Sequence, residues 1–175
     1  MSKVGLFYGS NTGNTEMDAD QVKKAFEAQM PGVLEVFNIG DVEMKKLEEY
    51  PFLILASPTW NVGELQDDWA LKFSELDNIS FAGKKVAMMG VGDQFGYPEN
   101  YCDAIGIIGR KVEALGGELV GFTDASGYEF DNSLGVEDSV FLGLALDDDN
   151  QSNLTAERIS YWVDQLIHED FALKS

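Results

Sequence analysis

The sequence predicts a doubly wound α/β sandwich of three layers, built on a five-stranded parallel sheet with strand order 2-1-3-4-5. Short apolar runs alternate five times with segments of helical periodicity, and several runs lack polar residues, as strands buried on both faces do. Polar, glycine-rich loops follow strands one, three and four. At 175 residues the chain has the length of one domain, so we expect a single domain over residues 1–175.

The first half of the chain supplies three strands and two helices. Alternating or continuous apolar residues predict strands at Val4–Tyr8, Val33–Phe37 and Phe52–Ala56. Apolar residues at helical spacing predict a helix over Asn14–Gln29 and a short one over Glu43–Glu49. Each strand is therefore followed by a crossover, as a parallel sheet requires.

The second half continues the alternation. Helices are predicted over Glu64–Leu76 and Asn100–Leu115, and strands over Lys85–Met89, Glu118–Phe122 and Phe141–Leu146. The last helix is indicated by an apolar stripe behind a Thr155 N-cap; the stripe consists of Ile159, Trp162, Val163, Leu166 and Ile167.

A polar, glycine-rich stretch at about residues 123–140 interrupts the pattern. It separates two segments of strand character, Glu118–Phe122 and Phe141–Leu146, so we expect a long loop between them. Loops of this length usually serve function or decorate an edge of the fold.

Composition excludes several classes of function. Thirty-one acidic and twelve basic residues give a net charge of −19, which opposes binding to nucleic acid. No run approaches the roughly 18 apolar residues of a membrane span, and no signal peptide is recognisable, so a cytoplasmic protein without membrane insertion is expected.

Cys102 is the only cysteine, which excludes an intrachain disulfide and cysteine-based metal sites. Asp147–Asp149 lacks the spacing of a calcium loop and predicts a solvated turn, so no metal site is expected.

The loop after strand one has the composition of a phosphate-binding loop. Its hydroxyl, amide and glycine residues lie between a buried strand and a helix N-terminus, where backbone N–H groups and the helix dipole favour an anion. Neither the lysine of a nucleotide-triphosphate loop nor the GxGxxG of dinucleotide folds is present, so one terminal monoester phosphate is favoured. The predicted contacts are Ser10, Asn11, Thr12, Gly13, Asn14 and Thr15.

The loops after strands three and four add aromatic side chains at the same edge. Trp60 follows the central strand and would be exposed unless a flat ligand covered it. Tyr97 offers a second flat face in a loop whose glycines allow close backbone approach. Together with the first loop, these side chains indicate a site for a planar ring that carries a phosphorylated tail.

These three loops resemble the FMN loops of flavodoxins. The resemblance rests on SNTGNT, SPTWNVGEL and GDQFGYPEN, and the interruption near residues 123–140 is similar to the long-chain class, whose fifth strand is split. It implies that residues 10–15 hold the FMN phosphate, although Asn14 stands where many members carry lysine. It further implies a ring site in which Trp60 and Tyr97 stack on the two faces of the isoalloxazine and Asp93 accepts a hydrogen bond from the ring imide. The residues of this site are Pro58, Thr59, Trp60, Asn61, Val62, Gly63, Gly92, Asp93, Tyr97 and Asn100.

The resemblance implies a low-potential one-electron carrier and no catalytic residues. FMN, held non-covalently, would cycle mainly between neutral semiquinone and anionic hydroquinone. We expect nearby carboxylates to disfavour the hydroquinone, and a peptide at Asn61–Val62 to rotate towards the flavin on reduction. An FMN-dependent NAD(P)H quinone reductase is the alternative, and a non-redox FMN-binding module is a further one.

The expected partners are redox proteins with basic docking patches. The resemblance implies ferredoxin/flavodoxin-NADP reductase, photosystem I, nitrogenase or ketoacid oxidoreductase, and a monomeric carrier. Its compartment would be the cytoplasm, or the stroma for a mature plastid protein. Docking is expected around the flavin edge, through Glu64, Asp67 and Asp68 and the acids of the long loop.

Overall fold

A computed structural model describes residues 3–10, 13–60 and 62–173. In chain order the strands are β1 (Val4–Tyr8), β2 (Leu34–Asn38), β3 (Phe52–Trp60), β4 (Glu64–Leu65), β5 (Lys85–Val91), β6 (Glu118–Val120), β7 (Thr123–Asp124), β8 (Val136–Glu137), β9 (Val140–Phe141) and β10 (Gly143–Leu146). The α-helices are α1 (Asn14–Gln29), α2 (Asp67–Lys72), α3 (Asp103–Ala114) and α4 (Ser152–Gln165). Short 3₁₀ helices cover Ile39–Asp41, Met44–Glu49 and Phe73–Asn78, and α4 ends in a π-helical turn at Leu166–Asp170.

The main sheet confirms the predicted topology. Strands β2, β1, β3 and β5 pair in parallel in that order, and the fifth position beside β5 is filled by β6 and β10 in succession. β6 pairs with Lys85–Ala87 and β10 with Met88–Val91, so each covers one half of β5. The fifth strand is thus split, as predicted.

The central strands are apolar because both faces of the sheet are covered. All five residues of β1 are buried, and so is β3 from Leu53 to Ser57. Val4, Leu6 and Ile54 pack in the core beneath α1 and α4. Phe7 and Leu55 pack in the opposite core beneath α3. This two-sided burial explains why the strands read as continuous apolar runs.

Gly121 marks the point where the chain leaves the sheet. Its backbone is left-handed at φ +80°, and a Cβ there would lie 3.0 Å from Trp162 Nε1. Trp162 Nε1 donates to Gly121 O at 2.8 Å. The chain then forms a small antiparallel sheet in the order β7-β9-β8 before it returns to the main sheet at β10. We call residues 121–142 the insert.

Several predicted boundaries were wrong. Glu64 and Leu65 were expected to begin a helix, but they form β4, which pairs antiparallel with the end of β3. The expected Thr155 N-cap was also wrong, because α4 begins at Ser152 with Gln151 before it. Local propensity does not contain the tertiary contacts that set these boundaries.

Within the described residues, none of the helices combines the length and apolar character that crossing a membrane would require.

Candidate functional site at the carboxyl edge of the sheet

The loops after β1, β3 and β5 meet at one edge of the sheet, as the parallel topology predicts. Gly9 N donates to Ala56 O at 3.0 Å, which ties the first loop to β3. Ala104 N donates to Thr59 Oγ1 at 2.9 Å, which ties the end of β3 to the start of α3. These bonds bring the described parts of the three loops to one edge, where Thr59 lies beside the start of α3.

The first loop turns sharply into α1. Gly13 N donates to Ser10 Oγ at 2.9 Å, and Gly13 is left-handed at φ +94°. A Cβ on Gly13 would meet no atom of the described residues within 4 Å. Asn14, the first residue of α1, is exposed. Asn11 and Thr12, also predicted as phosphate contacts, lie outside the described residues.

Thr15 carries a polar atom without a partner. Its side chain is 1% exposed, and Oγ1 makes no hydrogen bond within the described structure. A buried hydroxyl without a partner costs about 1–3 kcal/mol, so such groups are rare unless something bonds to them. It lies in the first turn of α1, where backbone N–H groups and the helix dipole favour an anion.

The second loop is a tight connection between β3 and β4. Thr59 pairs with Leu65 and Trp60 with Glu64, so the chain reverses directly after the central strand. Pro58 lies within β3 and is partly buried, whereas Val62 is 74% exposed. Asn61 and the side chain of Trp60 lie outside the described structure, so the Trp60 face of the predicted sandwich and the peptide rotation stay predictions.

Gly63 lets the second loop pack closely against the third. Its backbone is left-handed at φ +78°, and a Cβ there would lie 2.6 Å from Asp103 Oδ2 and 3.0 Å from Asn100 Nδ2. Asn100 Nδ2 donates to Asp103 Oδ2 at 3.1 Å, and Leu134 N donates to Asp103 Oδ1 at 2.8 Å. The buried Asp103 thereby links the second loop, the third loop and the insert.

The third loop, residues 92–101, is held by the side chain of Asp93. Asp93 Oδ1 accepts from Phe95 N at 3.1 Å and from Gly96 N at 2.7 Å. The Gly96 N–H lowers the pKa of Asp93, with further help from Asn150 and Phe95. The carboxylate is thus committed to shaping the loop. Tyr97 N donates a hydrogen bond to Asp93 O at 2.9 Å in the same turn. The Tyr97 side chain is 44% exposed.

Asp147 is a supporting residue that sequence reasoning missed. The expected solvated turn at Asp147–Asp149 was wrong for Asp147, which is fully buried. Its Oδ2 accepts from Gln94 N at 3.0 Å and from Gln94 Nε2 at 2.9 Å, and its Oδ1 accepts from Asn150 N at 3.0 Å. A tripeptide of aspartates carries no sequence signal that one of them turns inward; only the position directly after β10 places it behind the third loop.

Asn150 completes this support by joining two carboxylates. Its Nδ2 donates to Asp93 Oδ1 at 2.7 Å and to Asp147 Oδ2 at 3.0 Å. Asp93, Asp147 and Asp149 bring their oxygens within 4.8 Å of one another. Partial burial, followed by the charges of Asp93 and Asp147, raises the pKa of the Asp149 carboxyl. The cluster places concentrated negative charge beneath the third loop.

The insert forms the outer wall of the third loop. Asp131 N and Asn132 N both donate to Pro98 O, at 2.7 and 3.0 Å. Glu129 N donates to Gln94 Oε1 at 2.5 Å. The expectation of a loop that serves function or decorates an edge is thereby refined, because the insert is bonded to the loop nearest the predicted ring site.

The sequence model of the flavodoxin family matches residues 6–162 of the chain. The chain belongs to the flavodoxin family. Flavodoxins are electron-transfer proteins rather than enzymes. The match extends over the three loops and the insert, so it covers the whole candidate site.

Similar proteins cover nearly the whole chain. The flavodoxin of Picosynechococcus is 46% identical over 166 residues, 95% of this chain and 96% of that protein. The flavodoxin of Synechocystis is 47% identical with the same coverage. A solved flavodoxin of Fusobacterium nucleatum, bound to flavin mononucleotide, is 34% identical, covers 97% of this chain and 99% of its own, and superposes with a TM-score of 0.90.

Proposed function

We propose that this chain binds one FMN without covalent attachment and carries single electrons at low potential between redox enzymes. The observation that carries the proposal is the buried Thr15 hydroxyl at the start of α1, which has no hydrogen-bond partner among the described residues. A terminal phosphate monoester supplies the missing acceptor. FMN has such a phosphate, and the F. nucleatum relative is bound to FMN.

The phosphate end would be held by the first loop. Ser10 and Gly13 form the turn, and Thr15 donates its hydroxyl. The proposed contacts also include Asn11, Thr12 and Asn14. Because Asn14 carries no charge, binding would rest on N–H groups, hydroxyls and the helix dipole instead of a cation.

The ring would lie between the second and third loops. Val62, in the second loop, and Tyr97, in the third, expose apolar surface, and the two loops meet where Gly63 approaches Asn100. We assign Pro58, Thr59, Trp60, Asn61, Gly92 and Asp93 to the same surface. We assign the contact with the ring imide to Asp93, whose Oδ1 accepts from Phe95 N and Gly96 N and whose backbone oxygen accepts from Tyr97 N.

The protein's contribution to the chemistry is electrostatic. Bound FMN supplies the one-electron redox reaction, and its surroundings set how readily each electron is accepted. The carboxylates of Asp93, Asp147 and Asp149 lie together beneath the third loop, and the chain carries a net charge of −19. Negative charge opposes the addition of further negative charge, so the second electron would be accepted only at low potential.

We further propose that the chain is a monomeric, single-domain carrier of the cytoplasm, or of the stroma in a mature plastid protein. As an electron carrier it acts on redox partners, and its acidity suits basic docking patches such as those of NADP reductases, photosystem I, nitrogenase or ketoacid oxidoreductases. Exposed acids near the second loop, including Glu64 and Asp67, would form the docking rim.

The first test is reconstitution with FMN followed by anaerobic stepwise reduction, with visible absorbance recorded after each addition. We expect uptake of one FMN and two separate one-electron steps. A direct two-electron bleaching, together with steady-state NADPH oxidation in the presence of a quinone, would instead identify a quinone reductase. A protein that takes up no FMN would contradict the proposal.

The docking surface is tested by charge reversal. We expect Asp67→Lys to slow association with a basic redox partner at low salt, and the effect to shrink as salt is raised. Glu118→Lys is the matched control, because Glu118 is exposed at the start of β6, on the opposite edge of the sheet. Equal rates for the two variants would remove the second loop from the docking surface.

A further inference from the structure

Asp18 is a buried carboxyl group that the proposed function does not use. It lies on α1, one turn beyond Thr15, and is 2% exposed. Its Oδ2 has no hydrogen-bond donor among the described residues. An ionised carboxylate in such a position is strongly disfavoured, so either a proton or a cation must neutralise it.

The group that faces Asp18 is a second carboxyl. Asp148, in the turn after β10, lines the same small cavity as Asp18, and its carboxyl lies within reach of that of Asp18. Thr155 Oγ1 donates to Asp148 Oδ1 at 2.6 Å from α4. Two carboxyl groups can hydrogen-bond to each other only when one of them carries a proton.

Among the described residues, no basic side chain lines the cavity beside the pair. This cavity, of about 250 Å³, is lined by both carboxyls and by neutral side chains that include Gln21 and Thr155. On α1, Glu16 and Asp20 are exposed; in the turn, Asp147 is bonded to Gln94 and Asn150. The nearest cation along α4, Arg158, instead lies over the Tyr128 ring. Burial first, and then the bond to Asp148 and its charge, raise the pKa of Asp18 to about 9.

The two carboxyls sit behind different loops of the site. Asp18 belongs to the helix that begins in the first loop, and Asp148 lies beside Asp147 and close to Asn150, which hold the third loop. A bond between them therefore joins the supports of the two loops. Repulsion between the same two groups would push those supports apart.

We propose that Asp18 and Asp148 share one proton at neutral pH. The resulting hydrogen bond, which we call the latch, joins α1 to the turn after β10 that supports the third loop. Asp18 is thus a positioning residue. Its ionisation at alkaline pH opens the latch and weakens FMN binding. The part concerning FMN rests on the proposed function, whereas the shared proton does not.

The latch predicts a specific dependence of stability on pH. In the unfolded chain Asp18 ionises near pH 4, whereas in the folded chain it keeps its proton to about pH 9. The stability it contributes is therefore complete below about pH 4 and is lost as the pH rises through the folded pKa. Asp18→Asn keeps the shape and the donated hydrogen bond without titrating.

The first experiment measures urea unfolding of the apoprotein from pH 5 to 10. We expect Asp18→Asn to become more stable than the original chain as the pH rises, with the ratio of unfolding constants growing by up to about tenfold per pH unit and levelling near pH 9. Asp20→Asn, an exposed change on the same helix, controls for the loss of one charge. Parallel curves for the original chain and Asp18→Asn would overturn the proposal.

Infrared difference spectra identify the proton directly. We expect the carbonyl band of a protonated carboxylic acid in the original chain at pH 7, absent in Asp18→Asn and lost above about pH 9. Absence of the band at pH 7 would overturn the shared proton. Retention of stability at pH 10 on addition of Mg²⁺, in the original chain only, would show that a cation replaces the proton and would likewise overturn it.

The second experiment measures the dissociation constant of FMN between pH 7 and 10. We expect equal affinity for the original chain and Asp18→Asn at pH 7, and a several-fold weaker affinity of the original chain above pH 9. Equal affinities throughout would overturn the positioning role. If neither protein bound FMN while the stability curves still diverged, the proposed function would fail and the shared proton would stand.

Discussion

The first and third loops differ in how their buried polar groups are hydrogen-bonded. The first loop is short, and its buried hydroxyl, Thr15 Oγ1, has no hydrogen-bond partner in the part of the chain that the structure describes. The third loop is shaped by bonds of the protein to itself: Asp93 caps its turn, and Gln94 is held by Asp147 from below and by Glu129 from the insert. The third loop is therefore shaped by bonds within the protein, whereas the first loop keeps a hydroxyl available to a ligand.

The difference follows from what each loop must recognise. A phosphate offers several acceptor oxygens, so a cluster of donors at a helix N-terminus suffices, and the donors are satisfied only on binding. A flat ring offers mainly its faces and a few edge atoms, so the loop must hold its shape without relying on ligand bonds. Changes in the first loop should therefore alter affinity, and changes behind the third should alter stability.

The largest effect is expected from Asp147→Ala. Removing this carboxyl leaves the buried N–H groups of Gln94 without an acceptor and opens a cavity, so we expect a loss of about 3 kcal/mol in the free energy of unfolding. Urea denaturation of the apoprotein measures it. Asp149→Ala is the control, because Asp149 is exposed in the same turn, and its change should stay within about 0.5 kcal/mol. Similar losses for both variants would contradict a ligand-independent support.

A smaller effect, confined to the ligand, is expected from Thr15→Val. Valine keeps the shape and removes the buried hydroxyl, so the apoprotein should be no less stable. A hydrogen bond to a charged phosphate contributes about 1.5–3 kcal/mol, so FMN should bind roughly 10- to 100-fold more weakly. Riboflavin, which lacks the phosphate, is the matched ligand. If its affinity fell as much as that of FMN, the hydroxyl would not be a phosphate contact.

The same contrast explains what the sequence could predict. The first loop is a local feature: a buried strand, a run of hydroxyls and glycines, and a helix start are all visible within residues 4–29. The parallel sheet order was likewise predictable, because apolar periodicity is a property of the chain itself. The polar stretch near 123–140 predicted a long loop, and the resemblance to the long-chain class predicted that this loop splits the fifth strand.

The supports of the third loop could not be predicted, because they join residues far apart in sequence. Gln94 and Asp147 are 53 positions apart, and neither residue type signals burial. Asp18 is another example, since an aspartate on an amphipathic helix is ordinarily assigned to solvent and only the packing of α4 and the turn buries it. The Glu64–Leu65 strand was missed for the same reason, because its partner is the end of β3.

The smallest effect is expected on the redox potential, from removal of the charge of Asp93 in the third loop. Asp93→Asn keeps the oxygen that accepts from Phe95 and Gly96 while it removes one charge from the cluster with Asp147 and Asp149. A unit charge at about 8 Å and an effective dielectric constant of about 40 amounts to roughly 1 kcal/mol, or about 45 mV for one electron. We expect the second one-electron potential to rise by about that amount in anaerobic redox titration.

The pH dependence of this shift in potential shows whether Asp93→Asn acts through its charge or through the shape of the loop. The Gly96 N–H lowers the pKa of Asp93, so its charge persists at pH values where an ordinary aspartate is already protonated. The difference in potential between the original chain and Asp93→Asn should remain constant down to that lowered pKa and vanish below it, because Asp93 is then as neutral as asparagine. Glu118→Gln, on the opposite edge of the sheet, should leave the potential unchanged. A difference that persisted unchanged in acid would show that the substitution acts through the shape of the loop and not through its charge.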